Sequence, residues 1–474
     1  MDPVTSPRPA LGTAGSAIAA SVRSSARAAL GSAASVWLLA ILGLGLAVRV
    51  IGFMASPTLV YPDTSVYTTI IGAQPFTNPV WWAGTRPGVV PLAYRLVGDS
   101  VPAVIVLQLV LAIVCWSVLA LVVFRLTRTA WLKPVAAGLV LAFSLAREIA
   151  EWDRVVLSES ISVSLLALVV AAGLLYVHRP GGRRLAALLV LAALWVFTRD
   201  SNAYDVLLLA PVLAAAAIVQ RPRWRLHAVA AAGCLAIFVA SYASADAGQR
   251  WLFPFYNLMG LRFLKDPSTV QYFERHGMPM SPAVAARTGK AAGSDNFAVY
   301  RDPDLQQLRD WVLADGQRTY VEFLATHPDA AIRTPGSQVV VLLSELDGIR
   351  AYAPRAWTPF AGTKIAYLPS AWLFPDRDAP GLLLASALGF AAATALAVGW
   401  RRTWLVPALL VATAVATAFV IYHADAGDIA RHELMPAIQV RLGLWLFLLF
   451  AADVIAIARR APAAAAPVAA EGTA

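Results

Sequence analysis

Asp63 is the acidic residue whose setting most clearly suggests chemistry. It stands in a Tyr-Pro-Asp-Thr sequence directly after a long apolar run, at the start of a polar loop. A carboxylate at a membrane surface could act as the general base that takes a proton from an acceptor hydroxyl. The same side chain could cap a short surface helix from Thr64 to Ile71, because carboxylate oxygens accept backbone N–H bonds at a helix start. The two roles are compatible, since capping would hold the base in place.

A second group of acids, within the segment 147–159, precedes a later apolar run. Three of them stand beside two arginines and could form ion pairs with these at a solvated surface. The fourth, Glu159, follows a serine at the start of the apolar run, at or below the membrane interface. A buried carboxylate needs a partner or a role, so Glu159 is the stronger candidate for function. The three others are Glu148, Glu151 and Asp153.

Two further segments each place a basic residue where it could hold an anion. Arg86 lies in a Gly-Thr-Arg-Pro-Gly turn, and an arginine held rigidly at headgroup level suits a phosphate ligand. Arg199 begins an Arg-Asp-Ser-Asn segment that ends at Asn202. Asp200 or Ser201 in that segment could instead serve as the cap of the next helix.

The last polar loop contributes another group of basic and polar residues. Arg431 and His432 stand before the final apolar run, and Arg441 lies inside it. An arginine within a span must reach the interface, pair with an acid or meet an anionic ligand. The same loop contains His423, Asp425 and Asp428, but their spacing matches no closed metal site.

The apolar character of the chain determines where these residues can lie. Of 474 residues, 59% are hydrophobic and 14% are charged, whereas a soluble domain has about 25% charged residues. This composition excludes a disordered chain, a disulfide-stapled secreted fold and a conventional cytosolic enzyme. Because a span needs about 20 apolar residues, we predict an all-α polytopic membrane protein with about ten transmembrane helices. The predicted spans are 34–54, 101–124, 130–146, 158–178, 183–198, 206–220, 226–246, 381–399, 403–422 and 434–458.

Basic residues in the loops predict the orientation of these spans. If ten spans alternate, 16 lysines and arginines fall on one face, in both termini and four loops, and six fall in the short loops of the other face. The face with more positive charge is cytoplasmic. We therefore expect a multi-pass protein of the plasma membrane with both termini in the cytoplasm. The net charge of +10 then reflects orientation, and no nucleic-acid partner is expected.

The distribution of charged residues also divides the chain into parts. The segment 247–380 departs most from the membrane pattern, with 14 basic and 13 acidic residues. Apolar side chains recur at near-helical spacing from Asp304 to Leu324, which predicts a small and mainly helical external domain between spans seven and eight. The predicted parts are a disordered cytoplasmic arm (1–33), a seven-span membrane domain (34–246) with catalytic external loops (55–100 and 147–157), the external (periplasmic) domain (247–380), three further spans (381–458) and a cytoplasmic tail (459–474).

The order of the motifs resembles that of bacterial GT-C membrane glycosyltransferases, the superfamily that uses polyprenyl-phosphate sugars and includes arabinosyltransferases and the dolichyl-phosphate-mannose-protein mannosyltransferases. Those proteins place an acid directly after the first span, where Asp63 stands here. Further similar elements are an Arg-Pro-Pro-Gly-like turn (Arg86 to Gly88), a Ser-Glu pair (Ser158-Glu159), an Arg-Pro-x-Asn-like segment (Arg199 to Asn202, with Asp200 in place of the proline) and a late Arg-Tyr-x-x-Pro-like element (Arg431-His432 with Pro436).

The resemblance implies a GT-C-like fold and an inverting transfer of sugar on the outer membrane face, with Asp63 as base. Glu151 or Asp153 would position the acceptor or, together with Asp63, bind a divalent cation such as Mg²⁺ or Mn²⁺; no other cofactor is implied. Arginines would hold the departing lipid phosphate. The substrate-binding set would comprise Arg86, Glu159, Arg199, Asn202, Arg431, His432 and Arg441.

The expected partners follow from this reaction. They are a polyprenyl-phosphate-linked sugar, an acceptor glycan, lipid or protein of the cell envelope, and the bilayer itself. The Ala/Arg/Pro-rich composition favours decaprenyl-phosphate arabinose or mannose as the donor. Neither the sugar nor the acceptor follows from the motifs.

The alternative is a transporter or flippase of lipid-linked envelope intermediates, and a non-catalytic relative is a third hypothesis. A transporter would carry ionisable residues near the bilayer midplane and internal repeats. Here the candidate residues gather at one face, which favours the enzyme. The chain has no Walker-type loop, dinucleotide fingerprint or nucleophile elbow, so we expect no nucleotide-driven step.

Overall fold

The computed structural model describes residues 33–70, 81–219, 221–344, 402–427 and 429–458. Its regular elements are helices, and Leu59 with Val155 forms an isolated parallel bridge. The α-helices are α1 (Ala33–Ala55), α2 (Pro62–Ser65), α3 (Val89–Leu96), α4 (Val101–Leu126), α5 (Leu132–Ser144), α6 (Arg147–Ala150), α7 (Glu159–His178), α8 (Gly182–Val196), α9 (Asn202–Val219), α10 (Trp224–Ala247), α11 (Leu252–Leu261), α12 (Pro267–Arg275), α13 (Pro282–Ala285), α14 (Ser294–Arg301), α15 (Gln306–Trp311), α16 (Gln317–Thr326), α17 (Thr334–Ser344), α18 (Leu405–Ala424), α19 (Ile429–His432) and α20 (Leu434–Ala458). Short 3₁₀ turns cover Trp81–Ala83, Glu151–Arg154, Arg221–Arg223, Phe263–Lys265, Pro303–Leu305 and Arg402–Trp404, and π turns cover Val66–Ile70, Val312–Gly316 and Asp329–Arg333.

The described residues contain seven helices long and apolar enough to cross a membrane. These are α1, α4, α7, α9, α10, α18 and α20, with α10 and α18 each extended by the 3₁₀ turn before it. The chain is therefore an all-α multi-pass membrane protein. Two further predicted spans correspond to the shorter helices α5 and α8. The predicted span 381–399, the arm before residue 33 and the tail after 458 lie outside the described residues.

The centre of the bundle is formed by α4 and α7. Helix α7 is the most buried of the seven, and α4 packs against it and against α5. Helix α4 starts where Ser100 accepts the backbone N–H of Ala103, with Pro102 in the first turn, where a missing N–H leaves no bond unmade. Around this centre, α1 packs on α5, α9 on α10, and α18 on α20. Apolar packing of this kind holds the polar ends of the helices in fixed positions.

The helices run alternately, so their connections fall at two ends of the bundle. At the upper end α1 finishes and α7, α9 and α20 begin. The lower end carries the arginine-rich connections between α4 and α5, α7 and α8, and α9 and α10. There the Asp453 carboxylate accepts the backbone N–H groups of Arg128 (3.1 Å) and Thr129 (2.8 Å), which ties α20 to the loop after α4.

A polar domain, residues 248–344 with helices α11 to α17, follows α10 at the upper end. Its core is aromatic, with Phe263 stacked on Phe273 at a centroid distance of 5.0 Å. The stretch predicted to be helical from Asp304 to Leu324 is helical, with a π turn between α15 and α16. Of its apolar stripe, Leu305, Leu308, Trp311, Val312 and Phe323 are buried. Within the described residues the predicted helical character of this domain is confirmed.

The short helix predicted at Thr64 to Ile71 differs in the structure from the expectation. It begins at Pro62, and its remaining residues to Ile70 form a π turn. Thr64 and Tyr67 are each 3% exposed whereas Ser65 is exposed, so one face of the segment is buried against the protein. Burial follows because the Thr64 hydroxyl donates to the backbone carbonyl of Val156, in the next loop of the upper end, at 2.8 Å.

Candidate functional site

Asp63 lies in the first turn of α2 and contacts two arginines from distant parts of the chain. Its Oδ2 atom is 3.1 Å from Nη2 of Arg86 and 3.1 Å from Nη1 of Arg431. Arg86 also lies over the ring of Tyr67, with its guanidinium carbon 5.6 Å from the ring centroid. Oδ2 of Asp63 thus has two cationic partners. The three residues come from the first polar loop and the last one.

The position of Asp63 is set by its neighbour in the sequence. The Thr64 hydroxyl accepts the backbone N–H of Tyr61 at 3.0 Å, which closes the first turn of α2. The predicted capping role of Asp63 is therefore wrong: Thr64 closes the helix, and the Asp63 carboxylate points to the arginines. The bonds between Leu59 and Arg154 (2.9 Å) and between Val156 and Leu59 (3.2 Å) join this loop to the segment before α7.

Glu159 is the second carboxylate of the cluster and is fully buried at the start of α7. Its Oε1 atom lies 2.7 Å from Nε of Arg431 and 3.0 Å from Nη1 of Arg199. Arg431 thus bridges Glu159 and Asp63. Burial by itself would lower the pKa of Arg431, but the attraction of Glu159, Tyr67 and Asp63 outweighs burial and raises it. Arg431 is consequently a permanent cation.

His432 extends the cluster on the other side of Arg199. Its Nδ1 atom is 3.3 Å from Nη2 of Arg199, and its Nε2 atom is 3.3 Å from Oδ2 of Asp425. Because a guanidinium only donates, Nδ1 must accept and Nε2 must carry the proton that faces Asp425. Asp425 is itself held by the side chain of Asn257 (2.9 Å) and the backbone N–H of Gly427 (2.7 Å). The imidazole is therefore fixed in one tautomer.

A cavity of about 440 Å³ opens on this cluster, between the upper end of the bundle and the polar domain. Its charged wall is formed by Arg86, Arg199, Arg431 and His432. Asp63 does not line the cavity but contacts two of the residues that do. The cavity is also lined by aromatic side chains, Tyr204, Tyr242, Trp251 and Tyr320, and by the ion pair between Asp200 and Arg250.

The ion pair of Asp200 with Arg250 holds the polar domain to the bundle. Arg250 contacts both carboxylate oxygens of Asp200, at 2.8 and 2.9 Å, and donates to the backbone carbonyl of Gly84 at 3.0 Å. This contact places the turn that contains Arg86. Asp200 was a candidate helix cap in the sequence, and the structure gives it this role as an ion-pair partner.

The structure does not bring Glu151 and Asp153 to the cluster. Glu151 forms an ion pair with Arg147, one turn away on the same surface. Asp153 is buried, with Oδ2 2.8 Å from Nη2 of Arg49 in α1 and Oδ1 accepting from the Ser160 hydroxyl at 2.8 Å. Burial raises the pKa of Asp153, while Arg49 and Ser160 oppose the rise. The expected pairing of Asp153 with nearby arginines at a surface is wrong, because Arg49 reaches it inside the protein.

Two of the predicted ligand-binding residues have structural contacts instead. Asn202 is buried and donates to the Ser162 hydroxyl and the Trp195 carbonyl, both at 3.0 Å, so it joins α9 to α7. Arg441 is buried within α20 and donates to the backbone carbonyls of Leu343 (2.6 Å) and Ala437 (3.1 Å). Neither lines the cavity.

The residues proposed for a divalent cation do not converge. Asp63 contacts arginines, Glu151 contacts Arg147 and Asp153 contacts Arg49. Over the described ranges, no three acidic, histidine or cysteine side chains are grouped as metal ligands. These three acids, as arranged, do not fit a shared ion.

Two residues that contact the site, and the arginine that pairs with Asp153, were not among the predicted residues. Arg250 and Asn257 lie in the polar domain, and Arg49 lies in the first span. An arginine inside an apolar run is a signal that could have singled out Arg49, because such a residue requires a buried partner. Arg250 and Asn257 carry no comparable signal. No protein-family model, curated protein or solved structure is matched by this chain.

Proposed function

We propose that the protein is a membrane glycosyltransferase that transfers a sugar from a polyprenyl-phosphate donor to a cell-envelope acceptor. The observation that carries this proposal is the convergence of three arginines, Arg86, Arg199 and Arg431, on one wall of a cavity at the end of a membrane-spanning bundle. Three guanidinium groups share two carboxylates in this cluster, so the wall suits an anion. A cavity that meets the membrane at such a wall suits a phosphate on a lipid.

In the proposed reaction the acceptor oxygen attacks the anomeric carbon from the face opposite the phosphate. The bond between that carbon and the phosphate oxygen breaks, and its electron pair stays on the lipid phosphate. The arginines stabilise the charge that accumulates there, and they do so without reorganisation because ion pairs already hold them in place. Inversion at the anomeric carbon follows from the direction of attack.

Asp63 is the proposed base that accepts the proton of the acceptor hydroxyl. Both of its arginine contacts use Oδ2, and the side chain is about one-third exposed (34%). Oδ1 is then the atom that takes the proton. The two arginines orient the carboxylate, and both line the cavity, so that base and leaving group share positioning residues.

The proposal also includes the architecture and orientation. A GT-C-like bundle of about ten spans would place the lower end, with its arginine-rich connections, in the cytoplasm and the cavity on the outer face of the plasma membrane. The donor would enter from the bilayer with its sugar in the cavity. Both termini would be cytoplasmic.

The decisive experiment measures sugar transfer by the purified protein and by variants of Asp63. Membranes or nanodiscs containing the full chain are supplied with decaprenyl-phosphate arabinose or mannose, and mass spectrometry of envelope glycans and lipid-linked sugars in a deletion strain identifies the natural substrate. Asp63→Asn should lose transfer while keeping normal expression and folding. Transfer at the wild-type rate in that variant would remove Asp63 as the base.

A further inference from the structure

Asp205 is a buried carboxylate that the proposed reaction does not use. It lies in the first turn of α9, is 3% exposed, and faces α18 and α20. Asp153 and Glu159 are equally buried, and each contacts an arginine. Within the described residues Asp205 forms no ion pair. A buried carboxylate without a counter-charge is unfavourable, so something else must compensate it.

Polar oxygen-bearing side chains surround Asp205. The Thr417 hydroxyl of α18 lies 3.2 Å from its Oδ1, and the side-chain amide of Gln439 in α20 lies 3.3 Å from its Oδ2. Thr413, one turn before Thr417, also hydrogen-bonds to the carboxylate. Both measured distances are longer than well-formed hydrogen bonds. The side chains of this group come from three helices, α9, α18 and α20, and together they form a cage of polar side chains around the carboxylate.

Gln439 supplies the independent observation. Its Oε1 atom is buried and has no hydrogen-bond partner among the residues that the structure describes. Because the oxygen and nitrogen of an amide differ little in shape, a half-turn of this group places Oε1 where Nε2 stands, 3.3 Å from Asp205. Two oxygens of partial or full negative charge at that distance repel each other unless a positive charge lies between them.

We propose that Asp205, Thr413, Thr417 and Gln439 bind a sodium ion inside the bundle. Ligands that are all oxygen select a hard cation, and a single carboxylate balances a single charge. Oxygens about 2.4 Å from a hard cation stand about 3.4 Å apart when they are adjacent in an octahedron, close to the spacings of 3.2 and 3.3 Å around Asp205. The ion compensates the carboxylate and gives the Gln439 oxygen a partner.

Glu433 shows why the surrounding oxygens matter. It is equally buried, but both of its carboxylate oxygens have no hydrogen-bond partner among the described residues. One carboxylate without further ligands takes a proton, whereas the cage around Asp205 offers several ligands. Glu433→Gln is therefore the matched control for variants of Asp205.

The test uses the purified full-length protein in nanodiscs, at fixed pH and ionic strength. Sodium chloride replaces N-methylglucamine chloride while Tm is recorded, and binding of ²²Na⁺ is measured directly. We expect sodium to raise Tm to a plateau and ²²Na⁺ to bind at one site per chain. Asp205→Asn should abolish both effects, and Glu433→Gln should leave both unchanged.

A second variant keeps the proposal testable if Asp205→Asn does not fold. Thr417→Val removes one ligand at nearly constant volume and should weaken sodium binding by about tenfold. The proposal is overturned if the wild type binds no ²²Na⁺ and its Tm responds only to pH, which would mean that Asp205 carries a proton. Wild-type sodium binding by Asp205→Asn, or by Thr417→Val when the first variant does not fold, would also overturn it.

Discussion

Glu159 and Glu433 are two glutamates in closely similar settings that the structure treats in opposite ways. Each stands at the start of a membrane-spanning helix at the upper end, and each has 0% of its surface exposed. Glu159 contacts Arg199 and Arg431. The carboxylate oxygens of Glu433 have no hydrogen-bond partner in the described residues, and burial, opposed by Arg262, raises the pKa of Glu433 to about 8. The same residue type is thus a charged carboxylate that holds two arginines in place at one position, and a neutral side chain at the other.

The comparison teaches that burial alone does not identify a functional carboxylate. What distinguishes Glu159 is the number of cations that depend on it. Removing Glu159 leaves Arg199 without its acidic partner and Arg431 with Asp63 alone, whereas removing Glu433 breaks no ion pair among the described residues. The variants below test that difference, beginning with the largest expected effect.

Replacing Glu159 by glutamine should have the largest effect. The change leaves the buried Arg199 without its carboxylate partner and removes one of the two acids that Arg431 contacts, and breaking a buried ion pair in this way costs about 3–5 kcal/mol. We expect a large fall in Tm and loss of sugar transfer. Glu433→Gln, the paired change, should leave transfer unchanged and should not lower Tm at neutral pH, because it breaks no ion pair among the described residues. Equal effects of the two substitutions would contradict the distinction.

Replacing Arg431 by lysine tests whether one side chain must bridge two acids. A lysine carries a single point of charge and cannot reach Asp63 and Glu159 with separate donors as the guanidinium does. We expect transfer to fall by about 10²–10³, the loss typical of one preorganised donor. Arg199→Lys is the matched control, with a smaller expected loss because Arg199 contacts only one of these two acids. A larger loss in Arg199→Lys would reverse their assigned importance.

Replacing Asp153 by asparagine separates a structural carboxylate from a catalytic one. The change leaves Arg49 uncompensated inside the protein, so we expect a loss of about 3–5 kcal/mol in the free energy of unfolding. The rate of transfer per folded molecule should stay the same, because Asp153 does not line the cavity and its partners Arg49 and Ser160 do not line it either. Thermal unfolding and single-turnover transfer below Tm measure the two quantities. A selective loss of rate at unchanged stability would restore Asp153 to the catalytic set.

The effect that is smallest per pH unit is the pH dependence contributed by Glu433. Its pKa is about 8 in the folded protein against 4.5 for the ordinary side chain, so between these values the folded state holds a proton that the unfolded state has released. Stability is therefore full below pH 4.5 and falls as pH rises towards 8, by at most about 1.4 kcal/mol per pH unit. Glu433→Gln should remove this slope. Denaturant unfolding across pH 5 to about 8 measures it, and an unchanged slope in the variant would assign it to another group.

Much of the fold could be predicted from the sequence because it depends on local composition. Runs of apolar residues mark seven long helices and two short ones, and the amphipathic stretch around Trp311 marks a helix of the polar domain. Positions along one helix are related by a fixed period, so sequence spacing carries information about them. Helix boundaries and the π turns depend on contacts with other elements and were not predictable.

The site was predictable as a set of residues and not as a set of contacts. Asp63, Arg86, Glu159, Arg199 and Arg431 were each singled out by a local motif, and the structure places all five in one cluster. Glu151, Asp153, Asn202 and Arg441 had equally suggestive motifs, yet they contact other parts of the protein. Arg49 and Asp153 are 104 positions apart, and no local pattern relates such residues.

The bridge made by Arg431 has a consequence for the order in which the protein is built. Asp63 and Arg431 are 368 positions apart, so the base emerges from the ribosome with the first span and its partner only with the last. Domains of a chain fold from the amino terminus as synthesis proceeds. Until α20 inserts, Glu159 and Asp63 lack their shared cation, and the cavity has an incomplete wall. The cluster is therefore complete only after Arg431 has been synthesised. A product truncated before Arg431 would carry the proposed base, Asp63, without the cation that joins it to Glu159.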